Sequence, residues 1–141
     1  MCGLWASLNV DTFQSGIDAS QHRGPDAEGC VAFQSPAGQL VLGHRRLSIF
    51  DMSASANQPF QSTDGRFTLV FNGAIYNFRD LRAQFEGEGH VFHTQSDTEI
   101  LLHALIQHGP ACLEKMEGMF ALMLWDDQRK TLLIARDRFG E

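Results

Sequence analysis

Apolar positions in this chain gather into short runs, separated by stretches rich in glycine, proline and small polar residues. The first run, GLWASL at 3–8, predicts a strand. Asp11 is placed to cap a helix over 12–20. The Gly24-Pro25 step makes 22–26 a loop. Strands are predicted over 31–33 and 39–43, around a turn at Pro36-Ala37-Gly38. Residues 53–66 (SASANQPFQSTDGR) read as a loop, and FTLVF at 67–71 as a fully apolar strand running into Asn72-Gly73. Asn77 suits the cap of a helix over 78–86, with Phe78, Leu81 and Phe85 on one face and Gly87 at its end. Ser96-Asp97-Thr98-Glu99 has capping-box spacing. Ile100, Leu101, Ala104, Leu105 and Ile106 are expected to supply the buried face of the helix that follows, which Gly109-Pro110 stops. A short helix over 111–116 comes next, then strands over 119–126 and 131–137 joined by a hairpin loop. So many strands with two or three helices predict α+β or layered α/β packing.

Composition narrows the function classes. The chain has 141 residues, of which 43% are hydrophobic and eleven are Phe, which suits one globular domain with one core. A net charge of −6 and the lack of a basic run argue against a nucleic-acid surface. Cys2, Cys30 and Cys112 form neither a CxxC pattern nor a disulfide framework, so a reducing, cytoplasmic setting is expected. No basic segment followed by an apolar run marks a signal peptide, and no apolar stretch is long enough to span a membrane. The six histidines are dispersed along the sequence. His90 and His93 are too few for a metal site, and His103 and His108 read as helix-surface or cap residues, so no metal is expected.

Candidate chemistry begins at Met1-Cys2-Gly3. Removal of Met1 leaves a thiol and a free α-amine on one residue, and that amine titrates near pH ~7.7–8.0. Such a residue is a nucleophile with its own base. It can equally be a small buried hydrophobe. Asn72-Gly73 fits a hairpin turn as well as a site. Strand alternation sends Arg45 and Arg46 to opposite faces, one toward solvent and the other into a site. Asp97, in a first helical turn, is favoured there by the macrodipole whatever else it does.

Six motifs, in order, are Met-Cys-Gly at the start, HRGPDAEG at 22–29, HRRLSIFD at 44–51, FNGAIYN at 71–77, SDTE at 96–99 and ARDRFG at 135–140. Together they resemble the class II glutamine amidotransferase domain, an N-terminal-nucleophile hydrolase, along nearly the whole chain. HRGPD and RLSI point to the asparagine synthetase branch. The resemblance implies an α+β fold, a four-layer αββα sandwich of two antiparallel sheets between helices. It also implies that Cys2 is the nucleophile, and that the Asn72 amide and the Gly73 N–H form the oxyanion hole. Arg46 would clasp the α-carboxylate of L-glutamine and Asp97 its α-ammonium. Leu47, Ser48, Ile49 and Ala74 complete the implied substrate site. Ala74 is a departure, because the branch mostly carries Glu there, and the change removes a contact near the substrate. The family's domain also continues past RDRFG. Residues 1–141 are therefore expected to be one amidotransferase domain, incomplete at its C-terminal end, without the synthetase domain that uses ATP and Mg and receives ammonia. This domain itself needs no cofactor. The ammonia acceptor, aspartate or another carboxylate, stays open, and so does the oligomeric state, a homodimer included. Two other readings stand beside this one: a catalytically silent glutamine-binding or regulatory module on the same fold, and a hydrolase of another amide.

Overall fold

Period-two alternation sorts the strand residues onto two faces, and those faces build the layers. The computed structural model describes residues 2–9, 13–47 and 53–140. Strands β1 (Gly3–Leu8), β2 (Ala27–Ser35) and β3 (Gly38–Arg46) form an antiparallel sheet in the order β1-β3-β2. Strands β4 (Phe60–Gln61), β5 (Phe67–Ile75), β6 (Gly118–Asp126) and β7 (Thr131–Arg136) form a second antiparallel sheet in that order. The helices are α1 (Phe13–Ala19), α2 (Phe78–Gly87) and α3 (Asp97–His108), with 3₁₀ turns at Gln21–Arg23, Ala54–Ala56 and Gly109–Lys115.

On β5, Leu69, Phe71 and Ile75 face α2 and α3. With Phe120, Leu122 and Leu124 of β6 they meet Phe78, Phe85, Ile100, Leu101, Ala104 and Leu105 in the larger core. Each Leu, Ile or Phe among them contributes about 1.5–3 kcal/mol on full burial. The alternate residues Val70, Met123 and Trp125 face the first sheet and pack on its Leu40 and Leu42. Trp5, on the outer side of β1, lies against Gly16 of α1 and Gly43. The layers run α1, first sheet, second sheet, α2 with α3: an αββα sandwich of the α+β class.

Several details depart from the expectations. Asn72-Gly73 is no hairpin: β5 continues to Ile75, with Asn72 opposite Ala121 and Gly73 opposite Phe120. The partner strand, distant in sequence, overrides the local turn preference. Asn77 makes no side-chain cap for α2. Its amide instead donates to the Lys115 carbonyl at 2.9 Å and accepts from the Glu117 N–H at 3.1 Å. Ser96 does cap α3, accepting from the Thr98 N–H at 3.0 Å. Glu99 does not reach back to Ser96 but takes the Thr94 N–H at 2.7 Å and the His93 N–H at 3.0 Å. Arg45 is not solvated: it is buried toward α1 and pairs with Glu28 at 2.6 Å. The 53–66 stretch contains a 3₁₀ turn and β4, and residues 111–116 lie mostly in a 3₁₀ turn. The histidines are not all dispersed either. His90 and His103 meet with ring centroids 4.2 Å apart, and His103 and His108 both lie against Phe85. Burial, with His90 and His108 beside it, pushes the His103 pKa down. Among the described residues no set of three His, Cys, Asp or Glu is placed to hold a metal ion. Asp11, the expected cap of α1, lies outside the described residues.

Candidate functional site

Cys2 precedes β1 and is half-buried. Gly3 pairs with Arg45, so Cys2 arrives beside the end of β3. The Leu47 N–H donates to Cys2 Sγ at 3.2 Å, and the thiol sits 3.6 Å from the Leu47 carbonyl. Arg23 Nε donates to the Cys2 carbonyl at 3.3 Å, which ties the 22–26 loop to the residue.

Arg46 ends β3 on the same face as Leu42 and His44, the face turned toward the second sheet. Its Nη1 donates to the Ser53 carbonyl at 2.9 Å and to Asn57 Oδ1 at 2.7 Å. Asn72 shares the inward face of β5 with Val70 by the same alternation. Gly73 follows with φ +154°, and a Cβ there would overlap the Met119 carbonyl. Asp97 opens α3, where its buried carboxylate accepts the Ile75 N–H at 3.0 Å. Burial raises the Asp97 pKa, while the hydrogen bonds from Ile75 and Thr98 oppose the rise.

These elements converge. Cys2, Arg46, Leu47, Asn72, Gly73, Ala74 and Asp97 line one cavity of about 120 Å³. One water needs only about 10–15 Å³, so this space is ligand-sized. Ser48 and Ile49, also expected here, lie outside the described residues. Gln58, within the stretch expected to be a loop, lines the cavity too. Its side chain and that of His44 both meet the Phe71 backbone. Gln58 carries no periodicity signal, and the Gln-Pro step after a run of small residues was the only cue.

The chain is similar to known proteins along its whole length. The family model "Glutamine amidotransferase domain" matches residues 1–141. This chain belongs to the glutamine amidotransferase domain family. It is 40% identical over 148 residues to "Asparagine synthetase B [glutamine-hydrolyzing]" of Escherichia coli, covering 99% of this chain and 26% of that protein. It is 39% identical over 131 residues to "Amidase chry2" of Gibberella zeae, covering 93% of this chain and 19% of that protein. The chain thus spans between about a fifth and a quarter of the length of these relatives. Among solved structures it is similar to the glutamine phosphoribosylpyrophosphate amidotransferase of B. subtilis, with a TM-score of 0.77 and 25% identity over 99% of this chain and 37% of that one.

On its core side this amidotransferase domain backs the site with His44. His44 is fully buried, and its Nε2 lies 3.0 Å from the Phe71 carbonyl, to which it must donate. Its Nδ1 is then unprotonated, and it is buried with no partner among the described residues. Burial pushes the His44 pKa down to about 4, with nearby Arg46 adding to the fall, so the ring is neutral at pH 7. None of the described helices is long and apolar enough to cross a membrane.

Proposed function

We propose that this domain hydrolyses the side-chain amide of L-glutamine, with Cys2 as nucleophile once Met1 is removed. The observation that carries the reading is the grouping of Cys2, Asn72, Gly73, Arg46 and Asp97 around one cavity. Free glutamine is a zwitterion. Arg46 suits its α-carboxylate, because a guanidinium fork matches a carboxylate better than an ammonium does. Asp97 suits its α-ammonium. The Cys2 α-amine takes the thiol proton, and the sulfur attacks the amide carbon. The carbonyl oxygen becomes an oxyanion, held by the Asn72 side-chain N–H and the Gly73 backbone N–H. One such donor typically contributes about 2.7–4 kcal/mol to the barrier. The C–N bond then breaks, and the proton on the α-amine leaves with nitrogen as ammonia. Water cleaves the remaining glutamyl thioester to glutamate and restores the thiol.

The ammonia is destined for a C-terminal synthetase domain of an asparagine synthetase-like enzyme. That domain would use ATP and Mg to activate aspartate or another carboxylate. A reducing cytoplasm keeps Cys2 as a thiol.

Ammonia release from glutamine tests the reading. Cys2→Ala should abolish it while leaving glutamine binding within a few-fold, because Arg46 and Asp97 still hold both ends of the amino acid. Substantial hydrolysis by that variant would place the nucleophile elsewhere.

A further inference from the structure

Strand β4 stops short of the site. Its register on β5 sets Phe60 opposite Leu69 and Gln61 opposite Thr68. Carried back two residues, that register would set residue 58 opposite Phe71. There the side chain of Gln58 takes the place of a strand backbone. Gln58 Oε1 accepts the Phe71 N–H at 2.6 Å, and Gln58 Nε2 donates to the Phe71 carbonyl at 3.0 Å. From the first sheet, His44 Nε2 reaches the same carbonyl at 3.0 Å. Gln58 is itself buried, and its backbone lies so close to Gly29 of β2 that a Cβ on Gly29 would overlap the Gln58 carbonyl. The Phe71 backbone, opposite Leu122 of β6, is therefore held by Gln58 and His44 immediately before Asn72.

We propose that Gln58, supported by His44, is a positioning residue that aims the Asn72 amide at the oxyanion by fixing the Phe71 peptide. This rests on the glutaminase reading above. The side-chain amide of Gln58 is engaged with Phe71 through both its oxygen and its nitrogen, so its part is orientation. Arg46 donates to Ser53 and Asn57, and Asp97 accepts from Ile75, so these contacts do not run through Phe71. Loss of Gln58 should therefore lower turnover and spare glutamine affinity.

The experiment compares Gln58→Met and Gln58→Glu with the unsubstituted full chain. Gln58→Met fills the same space without the amide. Its kcat should fall roughly 10- to 100-fold, the scale expected when a catalytic donor is displaced by about an ångström. Glutamine Kd, measured by calorimetry in a Cys2→Ala background, should stay within about threefold. Gln58→Glu keeps the acceptor for the Phe71 N–H but, when ionised, has no donor for the Phe71 carbonyl. Its kcat, taken relative to the unsubstituted chain at each pH, should recover as pH falls and the introduced carboxyl gains a proton. Unchanged kcat in both variants overturns the proposal. So does a Kd loss matching the kcat loss, or a Gln58→Glu deficit that ignores pH. If Gln58→Met does not fold, the Gln58→Glu profile decides alone. An unsubstituted chain that releases no ammonia from glutamine overturns the glutaminase reading, and this proposal with it. Turnover by the unsubstituted chain with indifferent Gln58 variants overturns only the proposal.

Discussion

Arg46 and Asp97 carry opposite charges on the wall of one cavity, yet each also has a structural attachment, Arg46 to Asn57 and Asp97 to Ile75. In the proposed reaction they hold opposite ends of one small zwitterion. A hydrogen bond to a charged group contributes about 1.5–3 kcal/mol, so Arg46→Ala and Asp97→Ala should each lower kcat/KM for glutamine roughly 10- to 150-fold, mainly through KM. Steady-state kinetics on glutamine and on analogues lacking the α-carboxylate or the α-amine would check this. The Arg46 variant should lose its preference against the first analogue and the Asp97 variant against the second. His44 makes a separate prediction. Its folded pKa, about 4, lies below the ordinary 6.5, so between those values the unfolded chain binds the extra proton. Stability should therefore decline as pH falls from above 6.5 toward 4, by about 3 kcal/mol if the full difference is expressed. Urea melts at pH 7 and pH 4.5 measure it, and His44→Gln, which does not titrate, should flatten that part of the curve.

Strand β5 ties the core to the site, because its outward side chains anchor α2 and α3 while Asn72 on its inward face lines the cavity. Gly73 is where this arrangement is least tolerant. A side chain there meets the Met119 carbonyl and a backbone angle of φ +154° that L residues rarely adopt. Gly73→Ala should lose both melting temperature and turnover, whereas Asn72→Ala should lower kcat roughly 100- to 1000-fold with little change in melting. Melting and kinetics on the same preparations separate the two. The elements themselves were largely legible from the sequence. Apolar runs marked β1, β5, β6 and β7, and the Ser96 cap and Gly109 bounded α3. What local pattern could not resolve was whatever a distant strand decides. Asn72-Gly73 suits a turn until β6 pairs with it, and Asn77 suits a cap until Lys115 and Glu117 take its amide. Gln58 was invisible for the same reason, since its partner is the backbone of Phe71 and no side-chain pattern records that.

For the molecule as a whole, the stacking of two sheets makes the site. The first sheet brings Cys2 and Arg46 to the end of β3, and the second brings Asn72 and Gly73. The N-terminal turn of α3 adds Asp97 on the far side. Motif order placed these residues in one family, but only the packing of the layers places them around one cavity. The central claim is that Cys2 attacks glutamine there. Its most direct test is to quench the chain in acid during glutamine turnover and analyse the N-terminal peptide by mass spectrometry. The peptide should begin at Cys2 and carry one glutamyl group on sulfur, with Asn72→Ala accumulating less of it. Steady turnover of glutamine with no adduct on Cys2, by a protein that retains Met1, would contradict the claim.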